Sequence, residues 1–181
     1  DSRTTYDAIN RPLTATAPDG SVYRPTFNIA NLLERVDVNL RAAAAATPFV
    51  TNVDYDAKGQ RERIVYGNGA VTAYTYDPLT FRLTRLTTTR PAQPDVTASL
   101  LFLNVAVVQD LCYTYDPVGN LTRVEDTALR TVFNGQPVDP VGRYTYDAVY
   151  RLIEGTGREH IGQNGFEFDP GGAIYREYPF I

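Results

Sequence analysis

Short runs of alternating apolar and polar residues recur along the chain, and turn residues separate them. In the run Tyr113–Tyr115 (YTY), two rings project from one face of a strand and the threonine projects from the other. The turn sequence DPVG follows at Asp116–Gly119, with an acceptor side chain, a proline that fixes φ and a glycine at the exit. The alternation resumes in the run Leu121–Val124. The stretch YTYDPVGNLTRV therefore predicts a β-hairpin with a four- or five-residue connection.

The same unit recurs along the chain with conservative exchanges. An aromatic residue precedes Asp or Asn, and the Asp or Asn stands at positions 7, 28, 56, 77, 116, 147 and 169. The gaps between them are 21, 28, 21, 39, 31 and 22 residues, which indicates a base period of about 21 with insertions. Such a period corresponds to one hairpin plus its link to the next, and hairpins of this kind stack because each buries little alone. Hairpins are predicted near residues 5–16, 27–36, 55–69, 74–86, 113–124, 144–155 and 166–178. They predict an all-β fold built as a growing antiparallel sheet.

Three kinds of position define the predicted repeat. The aromatic rings are expected to form a ladder across strands, whose pairs stabilise a sheet by about 0.2–1 kcal/mol each. The Asp or Asn caps its turn by accepting backbone N–H groups, and the Gly or Asn tolerates a positive φ. These structural repeat positions are Tyr6, Asp7, Tyr55, Asp56, Gly59, Tyr76, Asp77, Tyr115, Asp116, Gly119, Tyr146, Asp147, Phe168 and Asp169.

Two segments do not follow the repeat. In NLLERVDVNLRAAAAATPF the alanine run favours helix, but Val36, Val38 and Leu40 alternate. We predict a strand to about Leu40, followed by a loop or a short helical turn over the alanines. The second segment, Thr87–Ala98, contains two prolines and is predicted to be a loop that leads into an apolar strand, Ser99–Val108.

Composition and charge exclude several classes of protein. The 181 residues carry a net charge of −4 and a pI of about 5.0, which argues against a nucleic-acid partner. No apolar run approaches the roughly 20 residues of a membrane helix, so no membrane insertion by this segment is expected. A single cysteine rules out an intrachain disulfide. Because the sequence has no methionine and begins inside a repeat, we interpret residues 1–181 as a repeat segment of a longer polypeptide.

Isolated reactive residues do not form a recognisable catalytic or metal-binding pattern. Catalysis and calcium binding are the alternatives for the turn aspartates, but turn capping explains them better, since the Gly-Gly-x-Gly-x-Asp calcium pattern is missing. His160 is the only histidine and cannot build a zinc site. Cys112 lies in an apolar strand and is interpreted as a small buried hydrophobic residue. The Gly-rich stretch Thr156–Gly165 is predicted to be a polar loop. We therefore assign no catalytic residue, no metal and no cofactor, and expect no enzyme activity.

The tyrosines offer a second interpretation. Rings stack on the faces of pyranose sugars, so a row of tyrosines is an alternative carbohydrate-binding surface. The simpler interpretation is that these residues are the ladder of the sheet itself. The tyrosines concerned are Tyr74, Tyr76, Tyr113, Tyr115, Tyr144 and Tyr146.

The units YTYDPVGNLTRV, YTYDAVYRLIEGTGREH and VDYDAKGQRERIVYGNG resemble the YD repeats of Rhs proteins. The stretch from Gln109 to Gln163 is still more similar to the repeat region of insecticidal Tc toxin complexes, whose B and C components share such repeats. The resemblance implies a curved antiparallel sheet that forms part of a spiral, hollow shell. It also implies that the repeats are structural and carry no catalysis, so no catalytic residue is transferred to this chain.

The resemblance further implies a function and partners. The shell would enclose a C-terminal cytotoxic segment and deliver it through a pore-forming component, as part of a secreted or cell-surface toxin complex. The partners would be the rest of the shell, the enclosed toxin and the pore component. The alternative is a binding module that recognises glycan or a cell-surface partner. Whether the segment belongs to a B-like or a C-like component stays open.

Overall fold

The computed structural model of the chain describes residues 2–91, 107–129, 131–133, 136–158 and 175–179. Within these residues the regular structure consists of β-strands and one short 3-10 helix, Leu40–Ala42. The strands are β1 (Arg3–Tyr6), β2 (Pro12–Thr16), β3 (Val22–Phe27), β4 (Leu33–Asn39), β5 (Thr47–Tyr55), β6 (Arg61–Tyr66), β7 (Val71–Tyr76), β8 (Leu83–Thr89), β9 (Val107–Tyr115), β10 (Leu121–Asp126), β11 (Thr131–Phe133), β12 (Gln136–Val138), β13 (Val141–Tyr146), β14 (Leu152–Arg158) and β15 (Tyr175–Pro179).

The chain divides into two compact units. The first comprises Asp1–Tyr74 and Thr88–Val96, and the second comprises Thr75–Thr87 and Thr97–Ile181. In the first unit, strands β1 to β7 are neighbours in chain order, with antiparallel pairing. In the second unit, the order is β8-β9-β10-β13-β14-β15, and β11 and β12 form a separate antiparallel pair. The predicted all-β fold of repeated antiparallel hairpins is therefore confirmed.

The aromatic-acid turns join odd-numbered strands to the strands that follow them. They connect β1 to β2, β3 to β4, β5 to β6, β7 to β8, β9 to β10 and β13 to β14. Because antiparallel strands reverse direction at each turn, all such turns within one unit lie at the same end of the strands. The repeat predicted near 166–178, including Phe168 and Asp169, lies largely outside the described residues.

The alanine-rich segment is short and irregular, as its position between two strands requires. Strand β4 ends at Asn39, a single 3-10 turn follows, and β5 begins at Thr47. Arg41 and Ala42 adopt positive φ values of 47° and 60° inside this turn. The backbone N–H of Ala42 donates to the carbonyl of Gly20 over 3.1 Å. The structure agrees with the prediction of a strand to about Leu40 followed by a loop or a short helical turn: the 3-10 turn covers only Leu40–Ala42, and residues 43–46 are irregular. Pairing with the neighbouring strands overrides the helix propensity of alanine.

Two predicted loops begin later than expected. Strand β8 continues to Thr89, because Thr88 belongs to the sheet and its hydroxyl bonds to the hydroxyl of Thr72 over 2.9 Å. Strand β14 likewise includes Thr156 to Arg158, which pair with β15. Residues 92–106 and 159–165, with most of the predicted strand Ser99–Val108 and His160, lie outside the described residues.

Few side chains are fully covered. Among the described residues the buried hydrophobic side chains are Val38, Val53, Ile64 and Val141. The prediction that Cys112 is buried is wrong: it is half-buried, because a sheet with so small a core leaves most strand residues partly open to solvent. No helix in the described part of the chain has the length and hydrophobicity needed to cross a membrane.

Candidate functional site

The turns of the repeats are capped by their own acidic or amide side chains. In each of the six described turns, one side-chain oxygen accepts two backbone N–H groups of the same turn over 2.6–3.0 Å. In the first turn, for example, Oδ1 of Asp7 accepts from the N–H groups of Ile9 and Arg11. The capping residues are Asp7, Asn28, Asp56, Asp77, Asp116 and Asp147.

These hydrogen bonds also lower the pKa of three capping carboxyl groups, those of Asp7, Asp77 and Asp147. The backbone N–H of Arg11 is the largest cause that lowers the pKa of Asp7, and the N–H of Thr80 does the same for Asp77. The pKa of Asp147 is lowered in the same way. A carboxyl group with a lowered pKa is a poor proton donor at neutral pH, so the turns favour structural acceptors over general acids.

A residue with positive φ closes each turn. Gly59 and Gly119 occupy this position with φ of 80° and 114°, while Asn10 and Asn31 occupy it with φ of 65° and 63°. Sequence reasoning anticipated glycine and asparagine here but missed the bulky residues Phe81 (59°) and Tyr150 (65°). Phe81 and Tyr150 stand immediately before the arginines that follow these turns, Arg82 and Arg151. This place in the repeat is the signal that would have identified them.

The repeat tyrosines connect successive hairpins. The hydroxyl of Tyr55 donates to the carbonyl of Leu33 over 2.6 Å, and Leu33 is the first residue of the returning strand of the preceding hairpin. Tyr115 donates to Leu83 over 2.9 Å in the same way. Tyr146 donates to Leu121 over 3.0 Å. We call these three hydrogen bonds the tyrosine links; sequence reasoning expected ring contacts at these positions and missed the hydroxyl bonds.

A local irregularity accompanies the aromatic position. The strand register shifts between Thr5 and Tyr6, between Thr26 and Phe27, between Asp54 and Tyr55 and between Thr145 and Tyr146. Such bulges bend a strand and re-aim a side chain. In each case the extra residue lies on the returning strand, and the aromatic strand keeps its regular alternation; these extra residues are Leu13, Glu34, Glu62 and Ile153. Burial raises the pKa of Tyr115, which agrees with a hydroxyl that is covered and bonded within the sheet.

A buried carboxylate ties three strands of the second unit together. Asp110 on β9 receives the Nε and Nη2 groups of Arg85 on β8 over 2.7 and 2.8 Å. It also accepts the hydroxyls of Thr87 and Thr127 over 3.1 and 2.5 Å. Its backbone N–H donates to Oδ1 of Asp126 on β10 over 3.0 Å. The Arg85 guanidinium is the largest cause that holds the pKa of Asp110 far below its usual range. Sequence reasoning did not single out Asp110, although an acid within the apolar run VVQDLCY was a signal.

No group of three or more His, Cys, Asp or Glu side chains suited to a metal ion occurs among the described residues. The six tyrosines considered as a carbohydrate surface are half-buried, whereas Thr75, Thr114 and Thr145 between them are exposed. The alternation of covered rings and exposed threonines is what a strand with one better-packed face produces. The described turns and links therefore have the chemistry of a structural site.

Known toxin proteins resemble the chain over most of its length, although no protein-family profile matches it. The toxin subunit YenC1 of Yersinia entomophaga is 36% identical over 160 residues, which cover 86% of this chain and 16% of YenC1. The toxin subunit YenC2 of the same organism is also 36% identical, over 88% of this chain and 16% of YenC2. The chain thus spans about one sixth of the length of these relatives.

Solved structures show the same fold. A crystal structure of TcdB2-TccC3 superposes with a TM-score of 0.71 at 32% identity, over 97% of this chain and 8% of that one. The Tc holotoxin pore of Photorhabdus luminescens, with a substitution in TccC3, gives a TM-score of 0.67 at 33% identity, over 86% and 7%. Together with the repeated Tyr-Asp hairpins, these similarities show that the chain belongs to the Rhs/YD-repeat proteins, as a repeat region of a Tc toxin complex component.

Proposed function

We propose that this chain is a structural wall segment of a shell that sequesters a C-terminal cytotoxic effector for delivery. The observation that carries the proposal is the set of tyrosine links. In these links the hydroxyl of the repeat tyrosine bonds to the backbone of the preceding hairpin. The repeat signature therefore holds neighbouring hairpins together in one continuous sheet. The Tc toxin relatives support the proposal, since the chain resembles their subunits over most of its length.

The burial pattern is the physical reason that favours a wall. A sheet that separates an interior from solvent needs no second sheet packed against it, and its residues then stay partly open. In the described residues, few side chains are fully buried. The partners of the wall would be the remainder of the shell, the enclosed toxin and a pore-forming component. The complex would be secreted or displayed at the cell surface, and this segment would itself catalyse no reaction.

Exposed tyrosine rings favour the alternative function, which is recognition of glycan or a cell-surface partner. Tyr23 and Tyr150 expose 43% and 60% of their surface. The tyrosines of the three links favour the wall instead, because their hydroxyls already bond to backbone carbonyls and cannot at the same time donate to a sugar.

Limited proteolysis of the full-length protein tests the proposal. The readout is the survival of the segment C-terminal to the repeats, in the native protein and after the repeats are denatured. We expect survival only in the native protein. A combined variant, Tyr55→Phe with Tyr115→Phe and Tyr146→Phe, should speed cleavage, whereas Tyr23→Phe should not, because Tyr23 makes none of the tyrosine links. Immediate cleavage of the segment in the native protein would reject encapsulation, and specific glycan binding by the same sample would then support the alternative.

A further inference from the structure

An arginine that leaves the first turn reaches the next hairpin of the first unit. The guanidinium carbon of Arg11 lies 5.4 Å from the centroid of the Phe27 ring. Its Nη1 donates to Oδ1 of Asn31 over 2.8 Å, while its Nε donates to Oδ2 of Asp7 in its own turn over 2.7 Å. Arg11 therefore hydrogen-bonds to the capping residue of its own hairpin, Asp7. In the next hairpin it lies over the ring of Phe27 and hydrogen-bonds to the positive-φ residue, Asn31.

Arg82 repeats this arrangement in the second unit with different atoms. Its guanidinium carbon lies 5.8 Å from the centroid of the Tyr115 ring. Its Nη1 donates to the backbone carbonyl of Asp116 over 3.1 Å. A Cβ atom added to Gly119 would lie 2.6 Å from Nη2 of Arg82. Gly119 therefore provides both a φ of 114° and the space that the arginine of the preceding hairpin occupies.

A hairpin without an arginine at this position provides the contrast. The turn between β3 and β4 is followed by Leu32, and the next hairpin has Gly59 at its positive-φ position. A Cβ atom added to Gly59 would lie 3.7 Å from Cδ1 of Leu32, which is an ordinary van der Waals distance. The space beside this glycine is thus not taken up by a side chain of the preceding hairpin.

We propose that Arg11 and Arg82 are docking residues, and that the aromatic-acid-turn signature of the following hairpin is their binding pad. The signature then serves two hairpins: its acidic or amide side chain caps its own turn, and its ring and turn atoms receive the arginine of the hairpin before it. A cation over a ring is attracted by the negative face of the π system, and a neighbouring oxygen directs the guanidinium N–H groups. This inference concerns how hairpins join, and it does not depend on what the sheet encloses.

Double-mutant cycles in the full-length protein test the pad, with hydrogen exchange of the turn 116–120 and of β8 as the readout. The first cycle combines Arg82→Ala with Tyr115→Leu, which removes the ring. The second combines Arg82→Ala with Gly119→Ala, which displaces the guanidinium. In both cycles, either single change already breaks the contact, so the second change should cost less than it does alone. We therefore expect the double variant to keep at least about threefold more protection than the two single effects, added as free energies, would predict. Backbone strain at residue 119 is the same in both Arg82 backgrounds and cancels.

Two controls separate docking from general stabilisation. Tyr115→Phe keeps the ring and removes the hydroxyl, so its effect should add to that of Arg82→Ala. The cycle of Leu32→Ala with Gly59→Ala should also be additive within about twofold, since that glycine already has room for a methyl group. Additivity in the two Arg82 cycles, or equal coupling in the Leu32 cycle, would overturn the proposal. Protection of the toxin segment from proteolysis is a separate readout, so either proposal can fail alone.

Discussion

Replacing Asp110 by asparagine should loosen the junction of β8, β9 and β10. The carboxylate of Asp110 accepts four hydrogen bonds from side chains, two of them from Arg85. Asp110 is 8% exposed, so water has little access to it. Asparagine has the same size and shape but carries no charge, and one of its two side-chain positions is a donor. The substitution therefore changes the electrostatics of the junction with little change in its packing.

The expected cost follows from the bonds that asparagine cannot make. Its amide nitrogen would face an arginine N–H, so one charge-assisted hydrogen bond is lost, and the bond that remains to Arg85 becomes weaker. Hydrogen bonds to charged groups contribute about 1.5–3 kcal/mol each. The Arg85 side chain is 55% exposed, and water can take up the donor that is set free, which reduces the loss. We expect the free energy of opening these strands to fall by about 2 kcal/mol.

Hydrogen exchange of the full-length protein measures this loss in β9 and β10, where it corresponds to about thirtyfold lower protection. Asp37→Asn is the matched control, because Asp37 also binds an arginine through two N–H groups, at 2.8 Å each. Its partner, Arg35, lies on the same strand, and the Asp37 side chain is 22% exposed against 11% for Asp110, so the control should change far less. If Asp110→Asn altered the exchange of β9 and β10 no more than Asp37→Asn alters that of β4, the buried network would not hold the strands together.

Other changes test the remaining parts of the fold. Tyr115→Phe should lower the local stability of β8 and β9 by about 1 kcal/mol, because the carbonyl of Leu83 loses its partner; unchanged exchange there would contradict the tyrosine link. Gly67→Ala should prevent stable pairing of β5 and β6, since the added Cβ would overlap the carbonyl oxygen of Pro48. Gly157→Ala should be tolerated, because a Cβ there would have no atom within 4 Å. Circular dichroism and soluble yield compare the two variants, and equal behaviour would refute the steric argument. Acid should destabilise the sheet: aspartates whose pKa is lowered on folding stabilise it above their unfolded pKa of about 3.9, and this contribution is lost as pH falls below that value. A pH series of thermal unfolding should show the steepest loss below about pH 4, and a flat profile there would show that the caps contribute nothing to stability.

Local sequence patterns were sufficient to predict the hairpins and their turns. Alternation with a period of two identifies strands wherever one face is better covered than the other, and the Tyr-Thr-Tyr runs follow this rule. Asp and Asn caps bond to N–H groups two to four residues away, so the partner lies within the same short stretch of sequence. These features were predictable because the interactions that produce them are local.

The joining of the hairpins depends on contacts between residues that are far apart in the sequence. The tyrosine links of Tyr55, Tyr115 and Tyr146 reach carbonyls 22, 32 and 25 residues earlier in the chain. The carbonyl acceptors are backbone atoms, and every residue of a sequence has one, so no residue type marks them. Asp110 is held by Arg85, 25 residues away, and the exposure of Cys112 depends on how much of the sheet is covered. Register and bulges bring such groups together, and because they arise from pairing between distant strands, their outcome cannot be read from a local pattern.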